Sequence, residues 1–217
     1  MTRETLSTTS YAILGMLALR PWSAYDLTKQ MRRGLEYCWP KAESVLYDEP
    51  KRLVRLGLAS SREEPNGRRT RTVYEISDPG RDALRAWLAT PPNAPRFEFE
   101  PMLRLMFADQ GGKPDVQQAV AVMAEWARGQ LATGRVQCLD YLETGGPFPD
   151  RLHLIALFAR LYGELLDTVD RWAVRAEQEI ATWRGTAAVG MTDGARRFLE
   201  EVVAMAPPDG EPEATNR

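Results

Sequence analysis

KAESVLYDEPKRLVRLGLASSREEPNGRRTRTVYEIS, residues 41–77, decides the fold. Its opening reads as a helix over 43–56 closed by Gly57, the residue type that most easily adopts a left-handed cap. Residues 58–64 then read as one strand, Pro65-Asn66-Gly67 as a turn, and 71–76 as the returning strand. In that second arm Thr72, Tyr74 and Ile76 alternate with Arg71, Val73 and Glu75, the two-residue period of a half-buried strand. A helix followed by a hairpin is the order of a winged helix-turn-helix, provided that two more helices precede it.

The residues upstream supply them. Ser10 or a neighbouring hydroxyl can cap a helix running to about Leu19, with Ile13, Leu14 and Leu17 on its apolar face. Arg20-Pro21 stops it, because the residue before proline is pushed out of the α region. Ser23 opens a second helix, with Asp26 three residues on as in a capping box, and Leu27 and Met31 inward. Downstream, Asp78-Pro79 opens another helix whose stripe is Ala83, Leu84, Trp87 and Leu88.

On a helical wheel the 43–56 segment divides cleanly. Leu46, Pro50 and Leu53 gather on one side, and Ser44, Asp48, Lys51 and Arg55 on the other, with Tyr47 at the margin. A recognition helix needs that division, since one face packs on its module while the other enters the major groove. Lys41, Ser44, Tyr47, Lys51, Arg52 and Arg55 are its candidate DNA contacts. The bland alternative is the solvated face of an ordinary amphipathic helix. Pro50 is discordant, because an interior proline costs about 3 kcal/mol, unless the helix begins near Asp48 and leaves Pro50 in its first turn.

The hairpin tip strengthens the nucleic-acid reading. Arg68, Arg69, Thr70 and Arg71 crowd it, and Arg62 stands on the opposite strand. Like charges set this close repel, and a phosphate backbone would offset the repulsion through counterion release. Formal net charge is −2, yet residues 1–90 hold 15 basic against 11 acidic side chains, so the acidity lies downstream. Of the 28 basic residues 24 are arginine, whose planar fork suits phosphate and guanine.

Other chemistries find little support. Two distant cysteines, Cys38 and Cys138, and a single histidine, His153, make neither a disulfide framework nor a zinc ligand set, and no metal or other cofactor is expected. Cys38, between Tyr37 and Trp39, reads as a small packing residue. GxSxG, P-loop, HExxH and Rossmann fingerprints are all missing, which argues against an enzyme. No apolar run approaches the roughly 20 residues that span a bilayer, and MTRETLSTTS lacks a signal-peptide core, so a cytoplasmic protein is expected.

Pro91 to Pro95, with three prolines in five residues, reads as a connector. The expected organisation is a DNA-binding domain over 1–90, a linker over 91–97, a helical dimerisation and effector domain over 98–206, and a disordered tail over 207–217. The helical part divides into segments near 98–109, 115–143, 150–183 and 192–205, broken by Gly and Pro clusters. Met102, Leu105 and Met106 are expected on one face of the first. Val116, Val120, Met123, Leu131 and Cys138 on the second, and Leu154, Leu157, Phe158, Leu161, Leu165 and Trp172 on the third, predict a helix–helix core continued across a dimer interface. Trp126 and Trp172 are candidate walls for a planar effector.

YAILGMLALRPWSAYDL (11–27), Trp39-Pro40, SVLYDEPKRLVRLGLA (44–59) and RTVYEISDPGRDALRAWL (71–88) together resemble the PadR family of bacterial transcriptional regulators. Tyr25, Tyr47, Leu53, Gly57, Leu58, Tyr74, Gly80 and Leu84 stand where that pattern places them, whereas Pro50 replaces an apolar helix-former. FEPMLRLMFAD (99–109) resembles the start of the longer C-terminal domain of one subfamily. The resemblance implies a homodimer joined by its C-terminal helices, reading a pseudo-palindromic operator in double-stranded DNA. It also implies repression released by a small aromatic or hydrophobic effector. The competing expectation is a winged-helix module used for protein contacts without DNA; the arginines of the wing argue against it.

Overall fold

A computed structural model describes residues 5–67, 69–187 and 189–205. The chain divides into two compact units, Met1–Pro95 and Arg96–Arg217.

The first unit is a winged helix-turn-helix. Helix α1 (Thr8–Leu19) starts from Ser7, which exchanges capping hydrogen bonds with Ser10, and stops at Arg20 in extended backbone before Pro21. A two-residue strand β1 (Trp22–Ser23) leads into α2 (Ala24–Leu35). Ser23 accepts the Asp26 N–H at 3.1 Å and donates its hydroxyl to the Asp26 carboxylate at 2.7 Å, so the expected cap forms. Helix α3 spans Glu43–Arg55, and Gly57 follows it with φ of +71°. Strands β2 (Ala59–Asn66) and β3 (Arg69–Ile76) form the wing, with α4 (Asp78–Leu88) after it. Sheet order is β1-β3-β2, fully antiparallel, and Trp22 faces Tyr74 across the inner pair.

The sequence left β1 unassigned, since two residues carry no period; the pairing with β3 makes it a strand. The hairpin arms also run closer to the tip than expected, through Pro65 and Asn66 on one side and from Arg69 on the other. The core of this unit is Ile13, Leu14 and Leu17 of α1, Leu27 and Met31 of α2, Leu46 and Leu53 of α3, and Val73, Tyr74 and Ile76 of β3. Its polar atoms find partners: Trp22 Nε1 donates to the Met16 carbonyl at 2.9 Å, and Trp39 Nε1 to Thr9 Oγ1 at 3.1 Å. Tyr11 and Trp87 stack at 4.8 Å, which fixes α4 on α1. Leu88, the residue after Trp87, is exposed and does not join the stripe that packs. Cys38 is exposed rather than a packing residue; its thiol meets the Leu35 carbonyl in the link between α2 and α3.

The second unit is a helical assembly of α5 (Glu100–Met106), α6 (Lys113–Thr144), α7 (Leu152–Thr182) and α8 (Asp193–Met205), with single 3-10 turns at Ala108–Gln110 and Pro149–Arg151. Helices α6 and α7 form a long hairpin turned by Gly145 and Gly146, both at positive φ. Its core is Val116, Val120, Met123 and Ala124 against Ala173, Ala176 and Ile180. At that end Lys113 Nζ donates to the carbonyls of Ala181 (2.9 Å) and Trp183 (2.8 Å). At the start of α8, Glu179 accepts from Thr192 Oγ1 at 2.6 Å and from Trp183 Nε1 at 3.0 Å.

Three expectations fail in this unit. Helix α5 covers only 100–106, because Pro101 sets its first turn and a 3-10 turn replaces its end; Met102 and Met106 are exposed and only Leu105 packs inward. Leu154, Leu157, Leu161 and Leu165 do not face α6; Leu157 is 71% and Leu161 69% exposed, because the interhelical seam runs through Leu166, Ala173, Ala176 and Ile180 instead. Cys138 lies outside the core as well. Among the described residues no helix is long and apolar enough to cross a membrane.

Candidate nucleic-acid interface

Helix α3 begins at Glu43, so Pro50 lies in its interior and not in a first turn. The proline ring is fully buried beside Leu46 and Leu53, and these three are the buried residues of the helix, as the wheel requires. The opposite face is open. Ser44 is exposed in the first turn, Tyr47 is half-buried, and Lys51 and Arg55 are exposed. Lys41 precedes the helix with its ammonium 4.7 Å from the Trp39 ring centroid.

Lys51 pairs with Asp48 at 3.0 Å, and that hydrogen bond raises its pKa. Arg52 is placed differently from the other candidates. It turns toward α1, donating to Glu49 at 2.8 Å and to the Thr5 carbonyl at 3.2 Å, with its side chain only 20% exposed. Glu49 in turn accepts the Ser10 hydroxyl at 2.5 Å. This network orients the helix on the module, a task that the charge count along the helix could not distinguish from phosphate contact.

On the wing, Arg69, Thr70 and Arg71 are exposed, and Arg68 lies outside the described residues. Unrelieved repulsion between the arginines is not what the structure shows. Arg62 pairs with Glu64 (2.8 Å) and Glu75 (3.0 Å), and Arg71 with Glu64 (3.2 Å) and Asp26 (3.5 Å). Glu64 lies directly across the strands from Arg71, Glu75 stands on β3 one step diagonal to Arg62, and Asp26 comes from α2.

An open cleft of about 480 Å³ lies between the start of α2, helix α3 and the wing. It brings Lys51 and Arg71 together and adds Ser23, Tyr25, Asn66, Thr72 and Tyr74, none of which stood out as a site residue in the sequence. Tyr25, two residues after the capping Ser23, is 65% exposed there; in the sequence it stood only as a position of the family pattern. Lys41, Ser44, Arg52 and Arg55 do not line this cleft.

In the second unit Trp126 meets Phe99 edge-on at 5.6 Å, and Trp172 packs against the α6–α7 core. A cleft of about 590 Å³, lined by Leu103, Arg104, Phe107 and Val122 among others, includes neither tryptophan. No cluster of metal-binding side chains occurs among the described residues.

Residues 13–86, which run from within α1 to within α4 and include the wing, match the Transcriptional regulator PadR-like family. The chain carries a PadR-like domain. The Negative transcriptional regulator PadR of Bacillus subtilis (strain 168) is 33% identical over 79 residues, or 36% of this chain and 43% of that protein. The match thus spans less than half the length of this PadR relative. Two solved structures of Bacillus subtilis PadR share the fold more widely. The complex with operator DNA has a TM-score of 0.68 at 21% identity, covering 82% of this chain and 98% of the other. The complex with p-coumaric acid has a TM-score of 0.60 at 21% identity, covering 81% and 98%. At these identities the likeness to PadR is one of fold.

Proposed function

We propose that the chain is a cytoplasmic, homodimeric transcription regulator that binds a pseudo-palindromic operator and is released from it by a small aromatic or hydrophobic effector. Residues 1–90 read DNA, 91–97 connect, and 98–206 pair two copies and receive the effector. The observation that carries this reading is the open cleft that Lys51 of α3 and Arg71 of the wing both line, within a PadR-like domain. Ser44, Tyr47 and Arg55 meet base edges or flanking backbone from the open face of α3, and Arg68, Arg69 and Thr70 meet backbone from the wing. Two copies would set α3 in major grooves about 34–36 Å apart.

Dimerisation is supported by the leucines of α7 that no other described residue buries and by the exposed Val202 and Val203 of α8. Helices of 32 and 31 residues with such faces are stabilised by a partner surface. Effector release is supported by the relative that binds p-coumaric acid, a planar aromatic acid, and by the open cleft against α5.

Fluorescence polarisation with a duplex from the chain's own promoter tests the reading. Binding is expected to weaken steeply with salt, by an amount set by the phosphates neutralised. Absence of duplex binding at low salt would leave only the protein-contact module. A solution mass of 24.5 kDa at micromolar concentration would remove the dimer. A panel of phenolic acids that neither raises Tm nor weakens the DNA complex would remove effector release.

A further inference from the structure

Arg62 and Arg71 of the wing are engaged by carboxylates in an alternating chain. Glu75 accepts from Arg62 Nη1 at 3.0 Å, and Arg62 turns Nη2 and Nε onto one oxygen of Glu64 at 2.8 and 3.1 Å. The other oxygen of Glu64 accepts from Arg71 Nη2 at 3.2 Å, and Arg71 Nη1 reaches Asp26 at 3.5 Å. Glu64 stands at the centre of this chain, directly across the strands from Arg71. We propose that Glu64 is an internal competitor for the DNA backbone: its carboxylate occupies guanidinium donors that phosphates would take, and duplex binds by exchanging Glu64 for phosphate.

The inference rests on the DNA-binding reading above and adds its regulation. A guanidinium presents the same fork to a carboxylate as to a phosphate, so the two ligands exclude each other at shared donors. Glu64 uses both of its oxygens, whereas its neighbour Glu63 accepts from Thr72 at 2.6 Å and has no ion pair among the described residues. Both guanidiniums hold the Glu64 carboxyl below its ordinary pKa, Arg62 most strongly, so it stays an anion at neutral pH. Arg62, Arg71 and Asp26 are each close to half exposed, so a duplex can reach the pairs that it must open. Phosphate contacts position a protein without reporting sequence. A competitor at those contacts therefore lowers affinity for every duplex alike and leaves discrimination to α3.

The test compares Glu64→Gln with Glu63→Gln, two substitutions of equal charge change on adjacent residues. Each is titrated by polarisation against the promoter duplex and a scrambled duplex of the same length. Glu64→Gln is expected to tighten both complexes by about threefold or more, and Glu63→Gln by less than half as much. Asp26→Asn, which frees Arg71 from the other side, must also tighten binding and serves if Glu64→Gln melts early. Unchanged or weaker binding by Glu64→Gln with parental Tm overturns the inference, as does equal tightening by Glu63→Gln, which would reflect net charge alone. If the parent chain itself binds no duplex, the DNA reading fails first; if the parent binds and the variants do not tighten, only the competitor fails.

Discussion

Ser10 of α1 donates its hydroxyl to Glu49 of α3 at 2.5 Å, joining residues 39 apart in sequence. Ser10 is wholly buried, and Glu49 also holds Arg52, so one carboxylate anchors α3 to the helix behind it. Ser10→Ala leaves Glu49 short of a partner and disturbs the Ser7 cap. A loss of about 1–3 kcal/mol is expected in chemical denaturation. Arg52→Lys is expected to weaken operator binding through helix placement, with the salt slope unchanged.

Gly80 admits no side chain. A Cβ there would strike the Leu58 carbonyl and crowd Ile76, and backbone oxygen cannot swing aside as a side-chain tip can. Gly80→Ala is expected to cost about 1–3 kcal/mol, read as a lower midpoint in urea at unchanged m-value. A Cβ on Gly194 would meet only the Glu179 carboxylate, so Gly194→Ala is expected to cost less.

Glu179 predicts an acid limb for the second unit. Hydrogen bonds from Thr192 and then Trp183 hold its carboxyl below the ordinary value of 4.5. A depressed folded pKa contributes stability that is present above the unfolded value and is lost as pH falls through the folded one. Glu179→Gln should therefore be less stable than the parent at pH 7, and the gap should close as pH falls below 4.5. Thermal melts of both chains from pH 7 to pH 3 check this; a gap that does not narrow below pH 4.5 would contradict it.

Pro50 sets opposing effects against each other. Restoring an N–H in a helix interior gains about 3 kcal/mol. Emptying a fully buried ring site loses about 0.8 kcal/mol per methylene, and the unfolded chain regains freedom worth about 0.4–1 kcal/mol. Pro50→Ala is thus expected to lie within about 1 kcal/mol of the parent, and Pro50→Leu lower, since a larger side chain at a fully buried position overpacks its surroundings. A marked gain for Pro50→Leu would show that the proline stores strain.

Arg69 is exposed with no ion pair among the described residues, so under the proposed function a phosphate could meet it without displacing a carboxylate. Arg69→Ala is expected to lower the salt slope of duplex binding by about 1 and to weaken specific and unrelated duplexes alike.

The first unit was legible because its signals are local. Ser23 with Asp26, Gly57 after the helix, and the alternation of residues 71–76 each act within a few residues and carry the fold on their own. β1 was not legible, since its two residues become a strand only through Tyr74 and Val73, some fifty positions away. The pairing of Arg71 with Glu64 was hidden in the same way, because it depends on register across the hairpin. Counting arginines therefore gave the sign of the patch but not its state of neutralisation. The leucines of α7 misled for another reason: helical spacing marks an apolar face without saying which neighbour covers it.

The Lys113 contacts make the α6–α7 hairpin mechanically uneven. Where Lys113 ties the end of α7, the interhelical space is filled by Val120, Met123, Ala173 and Ile180. Toward the Gly145–Gly146 bend, Leu142 and Leu157 stand open. The pair behaves as a clothes peg, sprung shut at the jaw and loose at the handles. Amide protons of the jaw should exchange slowest, those of the handles fastest, and whatever covers the handles governs how widely they part.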